Sequence, residues 1–174
     1  MYKQELRKAG RSGGQNMKKH VLAIASAGGH WVQLQRMRPA WDGCKVSYVT
    51  TKEGYRAQVL EDAEKRSQDR PGFYIVTDAN RWQKFRLLRQ VFEILFLIIK
   101  LRPDIVVSTG AAPGFFALKF GRLIGARTIW VDSIANAEEL SLSGQKIETS
   151  ADLWLTQWEH LSGDGKPGFR GSVI

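Results

Sequence analysis

Hydrophobic and polar positions alternate along this chain in two registers. Short apolar runs rich in β-branched residues are separated by longer stretches whose apolar positions recur at helical spacing. His20 to Ser26 (HVLAIAS) is the first run, and Gly28 and Gly29 follow it, so it reads as a buried strand ending in a glycine turn. Trp31 to Met37 reads as a short helix, broken near Pro39. Lys45 to Thr51 is a second strand, Tyr55 to Arg66 has helical composition, and Phe73 to Val76 is a third strand. Arg81 to Leu101 is the longest helix candidate, ended by Pro103. Asp104 to Ser108 is a fourth strand, Gly110 to Gly114 a second glycine-bearing turn, and Phe115 to Ile124 a helix closed by Gly125. Arg127 to Asp132 is a fifth strand, a helix is placed near Ala137 to Leu142, and Asp152 to Thr156 is a sixth, short strand. Strands alternating with helices predict an α/β fold: a parallel sheet with helices on both faces. Ligands of such sheets collect at the carboxyl ends of the strands. Three loops are expected there: Ala27 to Trp31, Thr109 to Gly114 and Asp132 to Leu142.

Length changes this picture little, since 174 residues suffice for one well-buried domain and not for two. Residues 1–16 hold four basic residues and one acid, lack an apolar period, and read as a flexible basic leader without the apolar core of a signal peptide. Residues 17–161 are expected to form the domain. Residues 162–174, rich in glycine, are expected to be a tail outside the layers. The single cysteine, Cys44, excludes an internal disulfide framework and fits a reducing compartment. The three histidines and the acids show no metal-ligand spacing, so no metal site is expected.

Charge adds more. The formal net charge is +9, which suits nucleic acid, an anionic membrane surface or a phosphorylated ligand. No RRM, KH or helix-turn-helix signal supports nucleic acid, so no nucleic-acid partner is expected. G-x-G-x-x-G and G-x-x-x-x-G-K-[ST] are both absent, which argues against dinucleotide and ATP sites.

Four elements carry candidate chemistry. In Ser26-Ala27-Gly28-Gly29-His30, the glycines Gly28 and Gly29 allow a sharp bend that exposes N–H groups at a helix start. His30 would face the cleft and orient or deprotonate a hydroxyl; otherwise it only caps the helix. In Ser108 to Gly114, backbone N–H groups around Gly110, Ala111 and Gly114 could hold a phosphate oxygen, the alternative being a plain strand-to-helix turn. In Trp130 to Asn136, Asp132 could accept a hydrogen bond from a sugar hydroxyl or from His30, with Ser133 and Asn136 beside it, or else cap the next helix. The fourth element, Arg81 to Arg102 (RWQKFRLLRQVFEILFLIIKLR), has six basic residues and one acid, Glu93. Its apolar run is too short to span a bilayer, which takes roughly 20 apolar residues. A core helix would not need basic residues crowded around Trp82 and Phe85. The pattern favours an interfacial helix, with Arg81, Trp82, Lys84, Phe85, Arg86, Arg89, Phe92 and Phe96 docking on anionic lipid.

These residues together resemble the acceptor-side, membrane-docking subunit of the split UDP-N-acetylglucosamine transferase of dolichol-linked oligosaccharide synthesis, and more nearly its bacterial counterparts in exopolysaccharide and capsule synthesis. The resemblance runs from about Lys18 to Leu161. It rests on the two glycine turns and above all on Val131 to Gly144 (VDSIANAEELSLSG) and Ala151 to Leu161 (ADLWLTQWEHL). Where many members have Glu and Arg, this chain has Asp132 and Asn136; where eukaryotic members carry a transmembrane anchor, it has the polar leader. The resemblance implies a Rossmann-like domain equivalent to the N-terminal half of a GT-B glycosyltransferase, inactive without a separate donor-binding chain. It implies a UDP-sugar donor held mainly by that partner, a polyprenyl-diphosphate-linked sugar as acceptor, and no cofactor. The implied location is the cytoplasmic face of the membrane, peripheral or monotopic. His30 or Asp132 would serve as base. A scaffold that only recruits a catalytic partner is the competing reading.

Overall fold

The computed structural model describes residues 18–80 and 82–173. Its strands are β1 His20–Ile24, β2 Lys45–Thr50, β3 Gly72–Ile75, β4 Ile105–Ser108, β5 Arg127–Val131, β6 Leu153–Thr156 and β7 Gly168–Phe169. Its α-helices are α1 Gly29–Arg36, α2 Arg56–Lys65, α3 Lys84–Leu101, α4 Ala111–Leu123 and α5 Leu142–Ile147. The strands form one sheet in the order β3-β2-β1-β4-β5-β6-β7, and every neighbouring pair is parallel. This is the parallel sheet that the alternating pattern predicts, in the Rossmann-like form that the resemblance implies.

All five residues of β1 are buried because both faces of the sheet are covered. Val21 and Ala23 point to the layer of α1 and α2, where Trp31, Leu34 and Val59 meet them. Leu22 and Ile24 point the other way, to Ile94 and Ile98 of α3 and to Ala117 and Leu118 of α4; Ile147 of α5 belongs to the same layer. β1 therefore leads to one face and β4 to the other, although the two strands are neighbours. That is a topological switch point, where a crevice opens at the strand ends.

Some boundaries differ from the sequence expectation. Helix α4 starts at Ala111, not Phe115, and takes Pro113 and Gly114 into its first turns. Proline is tolerated there because a first-turn N–H has no intrahelical acceptor to lose. The helix expected over Ala137 to Leu142 forms instead at α5, because the Ser141 hydroxyl caps it by accepting the Gly144 N–H at 2.8 Å. Residues 162–173, expected as a tail, add the edge strand β7 beside β6, and Ser172 and Val173 hydrogen-bond Gln157.

Candidate functional site

The turns after β1 and β4 meet above the switch point. Helices α1 and α4 both begin there, and neither has a side-chain cap. The first-turn N–H groups of each helix lack intrahelical acceptors and carry partial positive charge. Gly28, at φ +88°, turns the chain from β1 into α1. The Ala27 N–H donates to Thr51 Oγ1 at 3.1 Å and the Gly28 N–H to the Tyr55 hydroxyl at 3.2 Å, so the end of β2 pins this turn. Tyr55 in turn stacks on Trp31, the rings 5.0 Å apart.

His30 joins the two turns. Its Nδ1 lies 2.8 Å from the Thr109 carbonyl oxygen, and the Thr109 hydroxyl donates back to the His30 carbonyl at 2.6 Å. A carbonyl only accepts, so Nδ1 carries the hydrogen, and the neutral ring keeps its lone pair on Nε2. Nε2 has no hydrogen-bond partner among the described residues. The imidazole also occupies the space beside Gly110, where a Cβ would lie 2.6 Å from Cε1 and 2.7 Å from Nδ1. Gly110 has φ +129° and Ala111 φ +65°, so the backbone at the start of α4 is in a conformation that side chains disfavour. The Gly28–Gly29–His30 and Gly110–Ala111 segments thus come together as expected. Gly114 does not join them: it lies in α4 against β4, where a Cβ would collide with Ser108 Oγ, so it serves close helix-sheet packing rather than a ligand.

Of the two readings of Asp132, its bonds favour the structural one, at the start of the next helix. Asp132 is 1% exposed, and its side chain shares the face of Trp130, toward α5 and away from the α1 layer. Its carboxylate accepts the Ser141 hydroxyl at 2.6 Å, the Ser141 N–H at 2.9 Å, the Trp130 Nε1–H at 3.3 Å and the Asn136 amide at 3.4 Å. These bonds fold the loop after β5 and leave no contact with His30, so they do not support Asp132 as base or as the group that orients His30. Ser133 accepts the Gln33 amide at 3.1 Å, which ties the loop to α1. Gln157 completes the tie by donating to Gln33 Oε1 and to the Asp132 carbonyl, both at 2.9 Å. Ser133 and Asn136 therefore shape the loop. Gln33, Gln157 and Tyr55 are site-building residues that the sequence did not single out, and Thr109, inside an expected loop, takes the role of holding His30. The one available signal was Gln33, a polar residue between Trp31 and Leu34 on the buried side of a helix.

Helix α3 buries Gln90, Ile94, Leu97 and Ile98 and turns the opposite face outward. Phe85 is 90% exposed, Trp82 78%, Phe96 62% and Phe92 61%, with Leu88 and Ile99 on the same stripe. Lys84, Arg86 and Arg89 are exposed beside it, while Arg81 lies outside the described residues. Glu93 is the anchor of this helix. Its carboxylate accepts the Thr77 N–H at 2.6 Å and the Thr77 hydroxyl at 3.0 Å and pairs with Arg89 at 2.8 Å. Burial alone would push its pKa up, but those bonds outweigh it and hold the carboxyl below its ordinary value. Among the described residues no helix is long and apolar enough to cross a membrane, and no group of three His, Cys, Asp or Glu could hold a metal ion.

No protein-family model matches the chain. Curated relatives do. The UDP-N-acetylglucosamine transferase subunit ALG14 of Yarrowia lipolytica is 31% identical over 128 residues, or 68% of this chain; the chain spans only 54% of that protein. The subunit of the same name from Mus musculus is 25% identical over 81% of this chain and 76% of its own length. Among solved structures, MurG of Acinetobacter baumannii superposes with a TM-score of 0.65 over 87% of this chain and 45% of MurG, at 17% identity. The last is a likeness of fold, and GT-B glycosyltransferases share it. Sequence likeness through most of a Rossmann-like half carries the assignment further: the chain belongs to the family of UDP-N-acetylglucosamine transferase subunits.

Proposed function

We propose that this chain is the acceptor-side, membrane-docking half of a two-component glycosyltransferase. It moves a sugar from a UDP-sugar to a polyprenyl-diphosphate-linked acceptor. The observation that carries the reading is His30: its Nδ1–H is committed to the Thr109 carbonyl, and Nε2 is left open between two uncapped helix starts. In this scheme Nε2 takes the proton of the acceptor hydroxyl as its oxygen bonds to the anomeric carbon. The bond from that carbon to the UDP oxygen breaks, and UDP leaves with the electron pair. The N–H groups at the starts of α1 and α4 offer partial positive charge to a phosphate oxygen. Gly28, Gly29, Gly110 and Ala111 are the backbone of that cradle. One Rossmann-like half makes one wall of a cleft, so a second chain supplies most of the donor contacts.

The exposed stripe of α3 supports the docking half of the proposal. Large aromatic side chains flanked by Lys84, Arg86 and Arg89 suit the headgroup level of an anionic bilayer. The free Cys44 suits its cytoplasmic, reducing side.

The test is sugar transfer by the chain reconstituted with a donor-binding partner. His30→Ala should lower turnover by about 10²-fold or more while partner and vesicle binding persist. Turnover unchanged in that variant would place the base on the partner and reduce this chain to acceptor binding and docking, or to a scaffold. Robust transfer by the isolated chain would overturn the split-enzyme reading. Replacing Lys84, Arg86 and Arg89 by Gln should release the protein from anionic vesicles, and salt should weaken wild-type binding. Vesicle binding unaffected by both would remove the docking role.

A further inference from the structure

The edge of the sheet opposite the site holds a hollow of about 730 Å³ between the ends of α3 and α4. Lys19, Arg102 and Arg127 line it, with Asp104 as the one acid and Ile99 and Ile124 as apolar walls. Lys19 pairs with Asp104 at 2.9 Å. Arg102 and Arg127 have no acidic partner among the described residues, so the hollow keeps two uncompensated cations.

Arg102 is also conformationally costly. It ends α3 at φ +43° and ψ +60°, the left-handed conformation in which glycine is the usual residue. Cations do suit helix C-termini, but Lys100 and Arg122 already occupy the last turns of α3 and α4. Ser67 has the same type of backbone after α2, so what distinguishes Arg102 is not the backbone alone but its surplus cation lining the hollow.

The hollow is continuous with the exposed apolar surface. Ile99 belongs both to its wall and to the outer stripe of α3, and Leu123, 81% exposed, precedes Ile124. We infer that this hollow binds the headgroup phosphate of an anionic phospholipid. Arg102 and Arg127 would take the phosphate, and Ile99 and Ile124 would lie against the apolar part of the same lipid. The inference rests on the docking role proposed for α3. The chain's own residues 1–16, with four basic residues and one acid, bring the wrong charge to fill the hollow.

The test is vesicle binding of the full chain, using phosphatidylcholine vesicles with and without phosphatidylglycerol. Arg102→Gly and Arg127→Gln should each weaken binding to the anionic vesicles about five-fold, the equivalent of about 1 kcal/mol per basic residue at such a surface. Arg102→Gly should melt no lower than the wild type, because glycine fits that backbone. The paired control Lys65→Gln with Arg70→Gln, at the far side of the sheet, should change binding by no more than roughly two-fold. If both hollow variants bind as the wild type while a Phe85, Phe92 and Phe96 to Ser variant is released, the hollow is overturned and the docking role stands. If none of these variants loses binding, both fall. A control that loses as much as the hollow variants would reduce the effect to diffuse charge and overturn the site. Displacement by inorganic phosphate at constant ionic strength would assign the hollow to free phosphate and overturn the lipid.

Discussion

The two edges of this sheet are built from the same strands and treated in opposite ways. At the edge where the strands begin, polar groups are matched. Asp104 receives the His20 N–H at 2.8 Å and the Lys19 ammonium at 2.9 Å. Asp152 receives the Thr128 N–H at 2.8 Å and the Arg122 guanidinium at 3.0 Å. Both carboxyls are held below their ordinary range, chiefly by those backbone N–H groups. At the edge where the strands end, two helices start without side-chain caps, Gly28, Gly110 and Ala111 have positive φ, and His30 Nε2 has no hydrogen-bond partner among the described residues. A fold closes its polar groups where it only needs to hold together. Positive φ occurs at both edges, since Ser67 and Arg102 hold it where the strands begin, so what sets the upper edge apart is the meeting of two uncapped helix starts with His30. Arg102 and Arg127 are the departure from this rule at the lower edge, and that is why the hollow there stands out.

The largest break in the comparison should come from one methyl group at the open edge. Gly110→Ala places a Cβ where the His30 ring lies and forces a side chain onto a backbone at φ +129°. If the ring is pushed off the Thr109 carbonyl, turnover of the reconstituted enzyme should fall about as far as for His30→Ala, by about 10²-fold. A matching loss in both variants, with no further loss in the double variant, would show that they damage one device. Full activity in Gly110→Ala would mean that the ring's position is not critical.

Asp132 lies beside that edge but should behave like the closed one. Its removal leaves the Ser141 N–H and the Trp130 Nε1–H without their acceptor. Asp132→Ala should cost about 2 kcal/mol, read as a melting temperature lower by roughly 4–8 °C. Turnover per folded molecule should fall less than for His30→Ala. The reverse pattern, normal melting with abolished transfer, would return Asp132 to the chemistry.

How much of this was legible in the sequence follows the same division. The β-branched runs of β1, β2, β4 and β5 announce themselves because burial on both faces favours apolar residues, and the polar ones among them, such as His20 and Ser47, pair inside. The convergence of the two glycine turns follows from parallel strands alone. What was not legible depended on partners far along the chain. The pair Gly168–Phe169 becomes a strand only because β6 presents an open edge. The Ala-Ala-Pro-Gly segment looks like a turn, and only packing against Ser108 shows that Gly114 belongs inside a helix. Asp132 at a strand end has the same local sequence whether it meets a substrate or Ser141. The bond to Ser141, nine residues on, decides it.

His20 offers a smaller effect at the closed edge. Its ring is buried between the Leu101 carbonyl at 3.1 Å and the Ser47 hydroxyl at 2.9 Å. Burial, and then the charge of Lys45, lower its pKa below 6.5, against the opposing pull of the Leu101 carbonyl and Asp104. Below about pH 6.5 the unfolded chain takes up a proton that the folded chain resists. The His20 contribution to stability is therefore complete above that pH and is lost as the pH falls through the lowered value. The depressed carboxyls Glu93, Asp104 and Asp152 titrate in a more acidic window, so the two losses should separate in a series of melts. His20→Gln should flatten the upper window and leave the lower one. An unchanged upper window would assign it to another group.

The smallest effect concerns Ala111, a non-glycine residue at φ +65° on the open edge. A left-handed backbone costs an L-residue roughly 1–2 kcal/mol. Glycine avoids that cost but orders a more flexible unfolded chain, at roughly 0.5–1 kcal/mol. Ala111→Gly should therefore stabilise the fold slightly, by about 0.5–1 kcal/mol, seen as a melting temperature higher by roughly 1–4 °C. Arg102→Gly should shift melting in the same direction at the lower edge, since Arg102 holds the same type of backbone. The sign is the informative part. If both variants are more stable, two of the three non-glycine residues at positive φ, Ala111 beside His30 and Arg102 in the basic hollow, are kept against stability, with Ser67 the third among the described residues. Ser67→Gly, at the end of α2 and outside both places, is the reference that tells whether the gain is particular to them. If Ala111→Gly lowers stability, the alanine methyl is making contacts worth more than the strain, and the start of α4 is held by packing rather than kept poised. Turnover separates these further: strain that positions the His30 cradle predicts a modest loss of activity in the more stable variant, and packing alone predicts none.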